Sequence, residues 1–83
     1  MLNILSDYIT GAMEQAEVSK LEDGTIFATI PKLKGVIAFG ETEKICLREL
    51  RSALEGWILL GLQFSHTLPV IKGINLNRKP FHE

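Results

Sequence analysis

The sequence predicts an α+β domain: a small, mostly antiparallel sheet with strand order 3-2-1-4, packed on one long helix, with an extra helix ahead of the sheet. Three observations carry this. Residues 42–63 place Cys46, Leu50, Ala53, Leu54, Trp57 and Gly61 on one stripe at helical spacing. Leu47, Ile58 and Leu62 extend its edge, and Lys44, Arg48, Arg51, Ser52 and Glu55 occupy the other side. Asp23-Gly24, a strong hairpin signal, separates two stretches of alternating character. Apolar stretches at 36–39 and 69–76 flank the long helix, so the chain reads as three meandering strands, a crossover helix and a last strand. A right-handed crossover returns the fourth strand parallel to the first and beside it, which sets the order.

Each element has a local cause. The first helix, over residues 3–15, takes Asn3 or Ser6 as cap, because their side-chain oxygens accept from the open amides of a first turn. Leu5, Ile9, Ala12, Met13 and Ala16 share one of its faces. Gly11 in its middle costs about 1 kcal/mol relative to alanine, so a helix this short depends on tertiary or partner contacts. Strands over about 16–22 and 25–30 join at Asp23-Gly24 through a tight primed turn, with Ile26, Ala28 and Ile30 facing away from Thr25, Phe27 and Thr29. Pro31 ends the ladder by removing a donor, residues 32–35 turn, and residues 36–39 form the third strand.

Gly40-Glu41-Thr42 then leads into the long helix, with Thr42 as N-cap and Glu43 near the positive end of the helix dipole. Residues 64–68 connect to a last strand at 69–76, in which Gly73 predicts a bulge or break. Residues 77–83, with Pro80 and mixed charge, are expected to be a mobile tail. The helix covers one sheet face. Phe27, Ile37 and Phe39 are candidates to line the other, where large apolar side chains call for a partner or a second subunit. Leu59 projects among the charged residues of the helix and is the fourth candidate interface residue.

Eighty-three residues make one domain that leaves much of its surface exposed, so self-association is a natural expectation. A formal net charge of -1 gives no general pull toward nucleic acid or an anionic membrane. The single cysteine, Cys46, excludes an intramolecular disulfide framework and fits a reducing cytoplasmic setting. No signal peptide is expected, since the N-terminus lacks a basic region and Asp7 interrupts its apolar residues. The apolar run at 57–60 is far too short to span a bilayer, so no membrane association is expected.

The hairpin at Asp23-Gly24, the run Ala28-Thr29-Ile30-Pro31-Lys32-Leu33-Lys34-Gly35 and the helix start Gly40-Glu41-Thr42 resemble the HicB-like antitoxin family. Its members show a strand ending in isoleucine-proline, a leucine and a glycine shortly after, a glycine-acidic-threonine helix start, and a proline introducing the last strand, which Pro69 matches. The resemblance covers about residues 16–76 and marks Asp23, Gly24, Pro31, Gly35, Gly40, Thr42 and Pro69 as a structural motif within a single HicB-like domain over 1–76. It implies a partial, truncated RNase-H-like fold that is not a nuclease. It also implies a partner, a small HicA-type RNA-cleaving toxin whose active site the antitoxin covers. Many members add a C-terminal DNA-binding module that represses their own operon. This sequence ends at Glu83, so no such module and no direct DNA binding are expected. Ile45 stands where the family often has an acidic residue, so a reciprocal capping box is absent, and the N-terminal helix resembles an addition found in a subset of members.

Catalytic readings fare poorly. Ribonuclease-H-type chemistry needs several carboxylates converging on two metal ions. Glu17, Glu22, Glu49 and Glu55 do not complete that set, and they read as solvated charges. Cys46 lies on the apolar stripe as a small hydrophobe, and Trp57 lies there as core. His66 and His82 have no triad or metal-ligand spacing, and Gly35 and Gly40 lack the series of a phosphate loop. Lys32, Lys34, Arg48, Arg51, Lys72, Arg78 and Lys79 are scattered among ten acidic residues with no interleaved aromatic to stack bases, which describes a solvated surface and not an RNA patch. The expectation is a non-enzymatic protein without cofactor or metal that binds a HicA-like toxin and forms a homodimer or larger homo-oligomer. The competing reading is an orphan self-associating structural or regulatory module with no toxin.

Overall fold

The longest element, helix α2 (Glu43–Gln63), starts directly after Thr42, whose own backbone is extended. The Thr42 hydroxyl accepts from the Ile45 amide at 3.2 Å, and its carbonyl accepts from the Cys46 amide at 2.9 Å, so the first turn is satisfied from outside the helix. At the other end the Phe64 amide donates back to the Leu60 carbonyl at 3.0 Å. Cys46, Leu50, Leu54, Ile58 and Gly61 are the buried residues of α2. Ile58 therefore belongs to the centre of the stripe, while Ala53 and Trp57 are only half-buried along its margin. Burying Leu50, Leu54 and Ile58 contributes about 1.5–3 kcal/mol each.

The computed structural model describes residues 4–64 and 66–76, so Asn3, Arg78, Lys79, His82 and the tail at 77–83 lie outside the described residues. Before α2 come α1 (Ile4–Glu14), β1 (Glu17–Lys20), β2 (Ile26–Thr29) and β3 (Ile37–Gly40). Ser6 sits inside α1 and is not its cap. The three strands form one antiparallel sheet in the order β1-β2-β3. Their register puts Val18, Ala28 and Ala38 in one cross-strand row and Ser19, Phe27 and Phe39 in the next. Ala28 and Ala38 are buried, and their small side chains let α2 lie close across β2 and β3. The Cys46 thiol accordingly donates to the Ala38 carbonyl at 3.4 Å.

Two expectations are corrected. The order 3-2-1-4 does not hold, because residues 69–76 form no strand of the sheet and, among the described residues, none pairs with the outer edge of β1. The segment folds on itself instead: Ile71 and Ile74 exchange backbone hydrogen bonds at 2.7 and 3.1 Å across Lys72-Gly73, whose φ values of 48° and 78° are both positive. A reversal at its midpoint leaves no extended run to lie beside β1. The β1–β2 hairpin exists, but its turn is not the expected two-residue primed one. Leu21 pairs with Thr25, the Gly24 amide donates to the Leu21 carbonyl at 3.0 Å, and only Gly24 has positive φ, at 92°. That is a three-residue loop with glycine in the left-handed position.

The core joins both helices, the sheet and the C-terminal segment. Tyr8, Ile9 and Ala12 from α1 pack with Ile30, Leu33 and Val36 from the β2–β3 connection, and with Leu68 and Ile71. α1 lies against α2, and the Tyr8 hydroxyl donates to the Pro69 carbonyl at 2.6 Å.

Candidate interaction face

With α2 on one side of the sheet, pleating turns the alternate residues to the other. Phe27 and Phe39 are directly opposed in the register, with ring centroids 6.1 Å apart and planes tilted by 33°. Phe39 is 52% exposed and Ile37 44% exposed, while Phe27 is half-buried beneath its neighbour. The second row on this face is Glu17, Thr29 and Ile37. Three of the four candidate interface residues thus meet on one open surface, where Ser19, Glu17 and Thr29 are their polar neighbours. Leu59, 65% exposed, is not among them; it lies on α2, on the far side of the sheet, where it lines a groove of about 260 Å³ with Leu5, Ile9, Glu55, Ile58 and Leu62.

The motif residues build the frame. The Asp23 carboxylate accepts from the Thr25 amide at 2.9 Å, and that bond holds its pKa below the ordinary carboxylate value. Pro31 opens a connection in which the Leu33 amide donates to Ile30 at 2.8 Å and the Val36 amide to Leu33 at 3.1 Å, with Gly35 at a φ of 96° between them. Gly40 ends β3 against the first turn of α2, and Pro69 receives Tyr8. Each residue shapes the backbone, and none converges on a reactive centre.

The chemical candidates are equally dispersed. Cys46 is fully buried, and burial, then the Glu43 charge, pushes its thiol pKa up, away from the thiolate that a nucleophile needs. Among the described residues no cluster of three His, Cys, Asp or Glu side chains is placed to hold a metal ion. Of the cationic residues, Lys72 pairs with Glu14 and Arg51 with Glu55 at 3.6 Å. No helix of the described residues is long and apolar enough to cross a membrane.

Tyr8, which no sequence motif marks, and Leu33, which the sequence marks only as part of the family motif and not as core, carry much of the architecture. Tyr8 is fully buried, and desolvation raises its phenol pKa. Leu33 sits in what reads as a surface turn. The available signal was the apolar neighbourhood of each, Ala12 one turn after Tyr8 and Ile30 and Val36 on either side of Leu33.

Fold and face together define a small α+β domain with one sheet surface covered by a helix and one that no element of the described residues covers. The chain belongs to the UPF0150-like family, whose sequence model matches residues 7–69. It is also similar to TTHA0281 from Thermus thermophilus, whose crystal structure superposes with a TM-score of 0.86 at 30% sequence identity, covering 96% of this chain and 100% of that one. No curated protein matches the chain.

Proposed function

We propose that this protein is a non-catalytic HicB-like antitoxin, a partial RNase-H-like domain that covers the active face of a small HicA-type RNA-cleaving toxin. The observation that carries the reading is the open sheet face, where the Phe27–Phe39 pair and Ile37 stand exposed with no element of the described chain across them. Exposed aromatic side chains on a rigid sheet serve as anchors for a protein partner. Glu17, the charged member of the two rows, adds an acidic rim that suits a protein built to hold RNA phosphates. Membership of the UPF0150-like family and the ordered motif from Asp23 to Pro69 support the same reading. Occlusion requires no reactive group, so binding alone supplies the activity. The protein would act in the cytoplasm, where such a toxin meets its RNA.

Co-expression with the product of the neighbouring gene tests this. The expected outcome is a stable complex in which the toxin no longer degrades RNA. Replacing both Phe27 and Phe39 with aspartate removes two anchors of about 2 kcal/mol each, which weakens binding on the order of a thousandfold. Unchanged circular dichroism would show that the fold survives. A neighbour that is not toxin-like and does not co-purify, or a complex indifferent to the double substitution, overturns the proposal.

A further inference from the structure

The sheet has two outer edges, and they differ. In an antiparallel ladder a residue turns its N–H and C=O to one neighbouring strand, and the next residue turns its own the other way. The Leu21 amide donates to the Thr25 carbonyl at 2.8 Å, which fixes the phase: Glu17 and Ser19 bond to β2, so Val18 and Lys20 direct their backbone groups away from it. Carried across β2, the same alternation joins Ala28 to Ala38 and Ile26 to Gly40. It leaves the N–H and C=O of Ile37 and Phe39 directed off the outer edge of β3. Among the described residues no strand takes up either edge.

β1 is guarded as edge strands commonly are, with the charged Glu17 and Lys20 in a short strand. β3 is not. From Val36 to Gly40 the chain has no charged residue and no proline. Its two outward-bonding residues, Ile37 and Phe39, are also the two whose apolar side chains stand 44% and 52% exposed on the open face. Ile45, 39% exposed, lies with its Cγ2 beside Gly40, so apolar exposure continues onto the helix side of the same strand. α2 holds β3 in place through the close approach at Gly40 and the bond from the Cys46 thiol to the Ala38 carbonyl. A rigid, uncharged edge of this kind is a template for another strand, and it invites aggregation unless a partner fills it.

We propose that the toxin adds a strand to this edge, an extended segment whose backbone bonds to the amides and carbonyls of Ile37 and Phe39. The proposal rests on the antitoxin reading for its partner and adds to it the mode of binding. Strand addition draws affinity from the main chain and selectivity from alternate side chains. In the toxin segment, the side chains beside Ile37 and Phe39 are apolar. The end that meets Glu41 carries a cation, since Glu41 and Glu43 are the exposed charges that follow β3. A protein built to hold RNA phosphates is rich in such cations. One binding event then closes both the open face and the edge beside it.

Amide hydrogen exchange on the isotope-labelled full chain, alone and with the toxin-like product of the neighbouring gene, tests it. The expected result is alternation: the Ile37 and Phe39 amides exchange fast in the free chain and slow by about a hundredfold in the complex. Ala38, already bonded to β2, and Val18 and Lys20 on the other edge should change by less than about tenfold. A second measurement isolates the bond. The chain has one cysteine, so ligation between Ile45 and Cys46 can place a methyl group on the Phe39 amide nitrogen with every side chain retained. That methyl points off the sheet and spares the β2–β3 ladder, with circular dichroism as the check. It should weaken toxin binding about tenfold to a hundredfold, while the same methyl on the Lys20 amide leaves binding unchanged.

Equal protection across residues 37–39, or a complex just as tight with the methylated Phe39 amide, overturns strand addition and leaves the antitoxin reading standing on its side-chain anchors. Alternating protection in the free chain as its concentration rises also overturns it, since that assigns the edge to a second copy. A pair that never associates overturns the antitoxin reading, and this proposal with it.

Discussion

Replacing Gly40 with alanine measures how closely β3 meets α2. An ideal Cβ at this position lies 2.7 Å from the Cys46 nitrogen, 2.9 Å from Cys46 Cα and 3.1 Å from Ile45 Cγ2. The first two are backbone atoms of the opening turn of α2, tied down by the Cys46 amide bond to the Thr42 carbonyl, so they cannot swing aside as a side-chain tip does. Overpacking of this kind costs about 1–3 kcal/mol, and a rigid obstacle puts Gly40→Ala in the upper half of that range. Reduced freedom of the unfolded chain returns about 0.4–1 kcal/mol. The net loss of about 1–2.6 kcal/mol lowers Tm by roughly 4–20 °C for a domain of this size. Thermal melts followed by circular dichroism read it directly. Gly56→Ala is the matched control: with open space at its Cβ it gains about 0.8–1 kcal/mol of helix propensity, so Tm rises. A Gly40→Ala melt at or above the wild-type temperature would refute the close approach.

Three further outcomes follow from single contacts. Thr42→Ala removes the hydroxyl that accepts from Ile45 and costs about 1 kcal/mol, whereas Thr42→Ser keeps it and costs little; urea midpoints distinguish the two. Leu54→Ala empties a fully buried site beneath α2 and costs about 2–5 kcal/mol, a large part of the total stability expected for a chain of this length. Stability also declines in alkali. Burial raises the Cys46 thiol above 9.0 and the Tyr8 phenol above 10.0, so above those values the folded chain still binds protons that the unfolded chain has released. The contribution is complete below about pH 9 and is lost as pH rises through the two shifted values, which urea melts at stepped pH measure.

The sequence was most informative where one local rule acts alone. Thr42 and the stripe from Cys46 to Gly61 specify α2, because a cap and a helical period require no knowledge of the rest of the fold. Alternation placed Phe27, Ile37 and Phe39 on one face for the same reason, as period two fixes the facing of every residue once a strand exists. The failures lie where two rules compete. At Asp23-Gly24 the pair allows a primed turn, but the Leu21–Thr25 pairing selects the three-residue loop. At 69–76 the apolar content suggests a strand, while Gly73 permits a reversal that also requires positive φ at Lys72, a residue type with no intrinsic preference for it. Leu59 was legible as exposed, but its groove was not, because the groove exists only once α1 is laid against α2.

That competition at the C-terminal segment also explains how α1 persists. An 11-residue helix with a central glycine is marginal alone, and residues 68–76 lack the support of a sheet, yet the two are joined at three points. Tyr8 donates to Pro69, Glu14 pairs with Lys72, and the missing side chain at Gly11 admits Ile71, whose Cγ2 lies 3.0 Å from where a Cβ would stand. The surface ion pair contributes little, so the buried tyrosine bond and the Ile71 contact do most of the joining. Two elements that depend on each other in this way should open as one unit. Tyr8→Phe removes about 1 kcal/mol from the joint, and amide exchange should then rise several-fold together in α1 and at the Ile71–Ile74 turn. Protection in β2 and the middle of α2 should change far less, because those amides open through the rest of the core. Faster exchange in α1 with an unchanged turn would mean that the helix is held by α2 alone.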